Sequence, residues 1–407
     1  MGRHKVGGHI CILGGDGYLG WPSAMRFSAL GYDVTVADNY LRRALCARHG
    51  LDFLYPVPRL AWRTALWEEI SGRRVRFVEL DLAEPENMRA LFDATGYERL
   101  CDAPWPGAPE AVLHYAEQPS APFSQLNYRC TDLTIVNNLR VTSNLLCAVR
   151  DLSPHTHIVH IGTMGEYGTP NIDIEEGWLD ITHKGRQDRF LFPRQGASVY
   201  HTTKIMDTDL MWFFVRAWKL RVTDLMQGPV YGLETEESRR HPDLRPYFNY
   251  DDQFGTVINR FIVQAVAGYP LTIYGKGGQT RGYININDTL QCVAAAVRHP
   301  ARPGELRIFN QITETFSVRE LARRVQEAGR RRGLDVTVAH VENPRTEAEE
   351  HYYNPTYKAL RELGVVPHPL DDEVLDGMIE VVQSHAAHIN PEIIFHPAPQ
   401  HKQMQQE

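Results

Sequence analysis

The sequence predicts an α/β fold, a doubly wound parallel sheet with a smaller C-terminal α/β lobe. Three observations predict it. Short apolar runs alternate with helical stretches through the first half of the chain. A glycine-rich loop joins the first apolar run to the first helix. The alternation then loosens beyond about residue 226, and 407 residues allow two to three folding units at roughly 150 each.

Taken in order, His9–Leu13 reads as a short buried strand and residues 18–30 as a helix. Asp33–Ala37 is a second strand that ends at Asp38. Arg74–Val78, Ala111–His114, Thr156–Ile161 and Arg221–Leu225 continue the series, with helices at 126–150 and 198–217. Strands alternating with helices mean βαβ units and right-handed crossovers. The segment 98–110 reads as a surface loop, and the polar segment 233–252 as a loop or lid. A helix at 253–267 and a strand at Leu271–Tyr274 follow. Residues 317–331 are an amphipathic helix whose basic face reads as solvated surface. The pattern divides the chain into 1–226, then 227–396 with some segments returning to the first unit, then a flexible glutamine-rich tail at 397–407.

Composition excludes several classes. Hydrophobic residues make up 43% and charged residues 23%, ordinary for a globular chain and unlike a disordered one. The 43 basic and 50 acidic residues leave a net charge of −7, which argues against general nucleic-acid binding. No apolar run approaches the ~20 residues of a membrane helix. Six cysteines without a CxxC pair read as free thiols, and no signal or transit segment is legible. A cytoplasmic protein without membrane or nucleic-acid partners is the expectation.

The loop Gly14-Gly15-Asp16-Gly17-Tyr18-Leu19-Gly20 sets glycines at 14, 17 and 20 between a strand and a helix. That is the context of a Rossmann-type dinucleotide site. The first glycine permits the turn, the second the approach of a pyrophosphate to backbone N–H groups, and the third close helix packing. Asp38 ends the next strand, where a carboxylate binds ribose hydroxyls and favours NAD over NADP. Asn39 follows it. Arg42 and Arg43 stand close enough to offer a 2′-phosphate contact instead. Asp81 and Leu82, after the third strand, can flank the adenine, and Asp81 serves equally as a helix N-cap.

Tyr200 and Lys204 are four apart and share a helix face. A nearby ammonium favours tyrosinate and turns the phenol into a usable base. Thr163 adds a hydroxyl at the carboxyl edge of the sheet, where open α/β sheets bind ligands.

With the loop, Thr163 and the YxxxK pair in this order, the chain resembles the extended short-chain dehydrogenase/reductases. The segment Leu271–Asp288, with Tyr274, Gln279 and Arg281, resembles the substrate lobe of their sugar-nucleotide branch. Within that branch the resemblance is to the UDP-sulfoquinovose synthase family. It is carried by Asp38-Asn39 with Arg42-Arg43, by Gly162–Gly177, by Gln227–Gly232, by Lys276–Gly282 and by Asn343–Asn354.

The resemblance implies tightly bound NAD and UDP-glucose or a related nucleotide sugar as substrate. It implies Tyr200 as the base at the hexose 4-hydroxyl, with Lys204 holding the tyrosinate and the nicotinamide ribose. Thr163 would bond the 4-oxygen, and His201 would serve elimination at carbons 5 and 6 to a 5,6-ene. Sulfite, free or delivered by a partner protein, would then add at carbon 6. Gln118, Ser120, Gln227, Tyr274, Gln279, Arg281 and Arg345 fall to the substrate, and a homodimer is implied through helices 126–150 and 198–217. Ordinary 4,6-dehydratases place an Asp-Glu pair after the threonine, whereas this chain has Met164 and Gly165, which transfer no proton.

One position departs from the family. Its members read Glu-Gln-Arg-Ser-Ala-Pro where this chain has Glu117-Gln118-Pro119-Ser120-Ala121-Pro122. Proline removes both a cation and a backbone N–H there. The alternatives are a UDP-sugar 4-epimerase or a 5,6-dehydratase without sulfite addition, and, outside enzymes, a cofactor-sensing binding protein. His155, His157 and His160 lack the further ligands a metal would need, so no metal is expected. Asp173, Glu175 and Glu176 read as a solvated loop.

Overall fold

The computed structural model describes residues 7–342 and 352–394. Its strands are β1 (His9–Leu13), β2 (Asp33–Asp38), β3 (Val75–Glu79), β4 (Ala111–His114), β5 (His157–Thr163), β6 (Trp178–His183), β7 (Arg186–Leu191), β8 (Arg221–Gln227), β9 (Val230–Tyr231), β10 (Leu271–Tyr274), β11 (Thr280–Asn285), β12 (Glu305–Gln311), β13 (Glu314–Ser317) and β14 (Val338–Val341). Seven of them form one all-parallel sheet in the order β12-β8-β5-β4-β1-β2-β3. The order reverses between β1 and β4, and a ligand crevice opens at such a switch point.

The central strands β1 and β4 are buried on both faces and are near-continuous apolar runs. Alternation still sorts the side chains. Ile10 and Ile12 join one core cluster, while Cys11 and Leu13 join the other. A third core fills the C-terminal lobe, where Phe261, Leu321, Val325 and Ile379 pack with Leu54 and Tyr55 from the first half. Strand β12 returns from that lobe to the edge of the main sheet.

Four expectations need correction. Residues 98–101 belong to a helix, Ala94–Cys101, because Asp93 caps it by accepting the Gly96 N–H at 2.7 Å. The segment 233–252 is irregular, yet it buries Leu244, Tyr247, Phe248 and Tyr250. Its apolar residues follow no regular period, so periodicity missed them. The helix Val318–Arg331 is not merely solvated: Arg331 pairs with Asp376 and the following Arg332 with Glu380, both on the helix Asp372–Ser384. Asp173 and Glu176 tie down residues 352–359. Asp173 accepts from Tyr352 and Asn354, and Glu176 accepts the N–H groups of Lys358 and Ala359. Among the described residues no helix is long and apolar enough to cross a membrane.

Candidate active site

A cavity of about 1150 Å³ opens at the carboxyl ends of β1, β4, β5 and β8. The glycine loop forms one wall. Gly14 has a φ of +84°, which glycine adopts freely. A β-carbon on Gly20 would lie 2.0 Å from the Gly14 carbonyl oxygen. Bare backbone is therefore required where the loop folds under the helix, and Gly14, Gly17, Tyr18 and Gly20 all line the cavity. This cradle and the acid beyond it suit a dinucleotide. The Tyr18 hydroxyl donates to the Gly232 carbonyl at 2.6 Å, tying the loop to the second lobe.

Two acids stand beside the loop. Asp38 accepts the Asp16 N–H at 2.8 Å and the Tyr40 N–H at 2.6 Å. Burial, helped by the Asp16 charge, pushes its carboxyl up to about 6. The Asp16 carboxylate itself is held bidentately by Arg43 at 2.7 and 2.9 Å and by the buried Arg63. The Asp16 side chain is thus engaged within the protein rather than offered to the cavity. Arg43 also donates to the carbonyls of Val57 and Pro58, so it is not the 2′-phosphate contact that spacing allowed. Arg42 stacks 3.6 Å above the Phe254 ring and donates to Asn249 at 3.0 Å. Asn39, Asp81 and Leu82 line the same end. Asp81 accepts from Ala83 at 3.0 Å in a turn and from Asn39 at 3.4 Å, while Glu84 is the N-cap of the next helix. Asp81 is therefore not the helix cap.

The opposite wall carries Thr163, Tyr200, His201 and Lys204. Thr163 ends β5 and caps the turn after it. Its hydroxyl accepts the Gly165 N–H at 3.2 Å, and its own N–H donates to Glu166 at 3.1 Å. Ser198 starts the helix Val199–Trp218 by accepting the His201 N–H at 3.1 Å. Burial raises the Tyr200 phenol above its ordinary range, and the Lys204 charge opposes that rise. The Lys204 ammonium donates to Glu117 Oε1 at 2.7 Å and meets His160 Nε2 at 2.9 Å.

Sequence reasoning missed this buried charge network. His160 Nδ1 lies 2.8 Å from Asp224, its register partner across β5 and β8. Glu166 pairs with Arg194 at 3.0 Å, and burial pushes its carboxyl up to about 7. The parallel register of the two strands was the one signal that could have joined His160 to Asp224. Glu117, His160 and Asp207 are the one group among the described residues with metal-ligand geometry. Lys204 already brings a cation within contact of two of them. Of the other histidines, His157 bonds Thr223 at 2.9 Å and His155 is exposed.

Gln227, at the end of β8, and Tyr274, Gln279 and Arg281 of the second lobe close the cavity. Gln227 donates to Gln311 at 3.0 Å, and the Tyr274 hydroxyl accepts from Arg260 at 3.0 Å. Gln279 reaches the Tyr274 carbonyl at 3.5 Å, and Arg281 donates to the Thr280 carbonyl at 2.8 Å. Ser120 and Pro119 line the cavity, but Gln118 does not. Its buried amide donates to Thr134 at 2.8 Å and to the Ser120 carbonyl at 3.1 Å. Gln118 thus braces the Ser120 turn against the helix Tyr128–Leu152 rather than lining the cavity. Arg345 lies outside the described residues.

The model of the family described as "NAD dependent epimerase/dehydratase family" matches residues 10–310. The chain belongs to that family. Two relatives narrow it. The chloroplastic UDP-sulfoquinovose synthase of Spinacia oleracea is 46% identical over 91% of this chain and 74% of its own. The UDP-sulfoquinovose synthase of Sulfolobus acidocaldarius is 41% identical over 88% of each. This family member is accordingly an NAD-dependent, sugar-nucleotide-modifying enzyme of the UDP-sulfoquinovose synthase branch. Its fold is that of a UDP-glucuronic acid 4-epimerase from Bacillus cereus, with a TM-score of 0.66 at 18% identity over 92% of this chain and 99% of that one. A UDP-glucose 4-epimerase from Bifidobacterium longum matches with a TM-score of 0.68 at 17% identity, over 94% and 100%.

Proposed function

We propose that the enzyme converts UDP-glucose to UDP-sulfoquinovose. The observation that carries this reading is one cavity shared by the glycine loop, Asp38, Thr163, Tyr200, Lys204, His201, Tyr274 and Arg281. The glycine loop and Asp38 hold the cofactor, and Arg281 and Tyr274 hold the nucleotide end of the sugar. NAD, when bound, supplies the acceptor for the carbon-4 hydride and the donor for its return.

Tyr200 takes the proton of the 4-hydroxyl, and the Lys204 charge favours the tyrosinate that does so. Thr163 hydrogen-bonds the 4-oxygen. The 4-ketone acidifies the carbon-5 proton, which His201 removes and delivers to the departing 6-hydroxyl, releasing water. Sulfur of sulfite then bonds carbon 6 of the 5,6-ene, and carbon 5 regains a proton. Tyr200 returns its proton to the 4-oxygen as the hydride returns. The imidazole of His201 stands where a dehydratase side chain at position 165 would need room, which supports this assignment.

A second reading rests on Pro119. It lines the cavity where the family carries an arginine, so a 4-epimerase or 5,6-dehydratase that never uses sulfite fits the remaining residues. Mass spectrometry after incubation with UDP-glucose, with and without sulfite, separates the two. A sulfonate-bearing product that needs sulfite supports the synthase, and an isomerised or dehydrated sugar in both samples supports the second reading. A homodimer through the packed helices Tyr128–Leu152 and Val199–Trp218 agrees with the exposed Ile135, Val136, Met206 and Phe213 on them.

A further inference from the structure

Lys204 stands one turn beyond Tyr200 and reaches into a buried cage. An ammonium has three N–H donors. Two have partners, Glu117 at 2.7 Å and His160 at 2.9 Å. The third is left for the cavity that Lys204 lines beside Tyr200. The cage comes from three separate segments: Glu117 follows β4, His160 sits in β5 and Asp224 in β8.

The cage also sets the histidine's tautomer. Asp224 takes the proton on His160 Nδ1 at 2.8 Å, so Nε2 is the acceptor toward Lys204. Burial and the Lys204 charge lower the His160 pKa, but Asp224 and Glu117 outweigh them and raise it to about 9. A nitrogen–nitrogen contact of 2.9 Å still holds only one proton, and Lys204, raised further against burial by Glu117 and so the stronger base, brings it. The remaining charged groups nearby are consistent with this. The His114 ring is 5.6 Å from that of His160, and burial pulls its pKa down to about 3, leaving it neutral. Burial, and then the Glu117 charge, raise Asp207 well above the carboxylate range. Glu166 is engaged by Arg194. Glu117 is therefore the counter-ion of Lys204.

Resting on the Tyr200 chemistry above, we propose that Glu117 and His160, oriented by Asp224, are positioning residues for Lys204. They fix the rotation of its ammonium, so that its third N–H stays on the cavity side that Tyr200 shares. Loss of the clamp lets the charge drift from the phenol, and the tyrosinate becomes harder to form.

The test is an ultraviolet titration of tyrosinate in the NAD-loaded protein, with the Tyr200→Phe trace subtracted. In His160→Leu, which has no acceptor, Tyr200 should ionise about one pH unit higher than in wild type. In His160→Gln, which keeps an acceptor, it should stay within about 0.3 unit of wild type. Turnover should fall about 100-fold in the leucine variant and under about fivefold in the glutamine variant. Unchanged ionisation in His160→Leu, or equal impairment of both variants, overturns the proposal. Should His160→Leu fail to fold, Asp224→Asn reads the same effect, because its amide can donate to Nδ1 and put the proton on Nε2. No shift in Asp224→Asn also overturns the proposal. The absorbance arm needs no sugar, so it decides even if UDP-glucose is not the substrate.

Discussion

The imidazole of His201 fills the space a side chain at residue 165 would need. A β-carbon on Gly165 would lie 2.3 Å from His201 Nε2. The two come from different elements, the turn after β5 and the first turn of the helix Val199–Trp218. Glycine at 165 is thus the condition for a histidine seated beside Thr163.

Gly165→Ala should push that ring aside while leaving Tyr200 and Lys204 in place. Turnover is expected to fall about 100-fold, as for loss of one acid–base group. Oxidation at carbon 4 should persist, so reduced cofactor accumulates and its absorbance rises on adding UDP-glucose. Unimpaired turnover would remove His201 from the elimination step.

Tyr200→Phe removes one hydroxyl and the base with it. Turnover should drop about 10²- to 10⁴-fold. Cofactor affinity and melting temperature should stay near wild type, as fluorescence titration and thermal unfolding would report. A binding protein would lose nothing measurable.

In the proposed role Asp38 would accept from ribose hydroxyls, and its carboxyl is pushed up to about 6. Below pH 6 the folded protein holds a proton that the cofactor must displace. NAD affinity should therefore weaken about tenfold per pH unit below 6, and Asp38→Asn should abolish that slope. The cofactor-free fold behaves oppositely. A carboxyl raised above its ordinary value stabilises the fold below pH 4, and that contribution is lost as pH rises through 6.

Pro119→Arg restores a cation to the cavity wall. If sulfite is the nucleophile, its KM should fall about tenfold with the KM for UDP-glucose unchanged. Steady-state kinetics at varied sulfite would detect the change. An unchanged sulfite KM would mean that the anion enters elsewhere.

Asp16→Asn leaves Arg63 buried beside a neutral amide. Breaking a buried pair from one side costs about 3–5 kcal/mol, so the denaturant midpoint should drop clearly. Glu236→Gln, at an exposed pair with Arg26, should cost under about 1 kcal/mol in the same assay.

The glycine loop, Asp38, Thr163 and the Tyr200–Lys204 pair were legible because each signal is local. A few residues of fixed spacing carry each, and the strand or helix beside it supplies the context. The Lys204 clamp was not legible in that way. Glu117 and His160 are 43 residues apart, His160 and Asp224 are 64 apart, and only strand order and register bring them together. Gln118 shows a different limit. It sits inside a family motif between two cavity-lining residues, and a motif does not say which way each side chain points. Tyr247, Phe248 and Tyr250 escaped notice because irregular backbone buries aromatics without a period.

Tyr18 and Arg42, both on the cofactor side, reach across to the second lobe, Tyr18 to Gly232 and Arg42 to Phe254 and Asn249. Trp21 adds a bond to the Leu244 carbonyl at 2.9 Å. Residues 252–257 of that covering segment line the cavity. These ties bridge the glycine-loop side of the cavity and the segment that covers it. The proposed chemistry never requires a dinucleotide to leave, since the hydride borrowed at carbon 4 is restored before product departs. In the proposed cycle a nicotinamide that stays bound would work as a prosthetic group rather than a diffusing co-substrate, with only the sugar nucleotide coming and going.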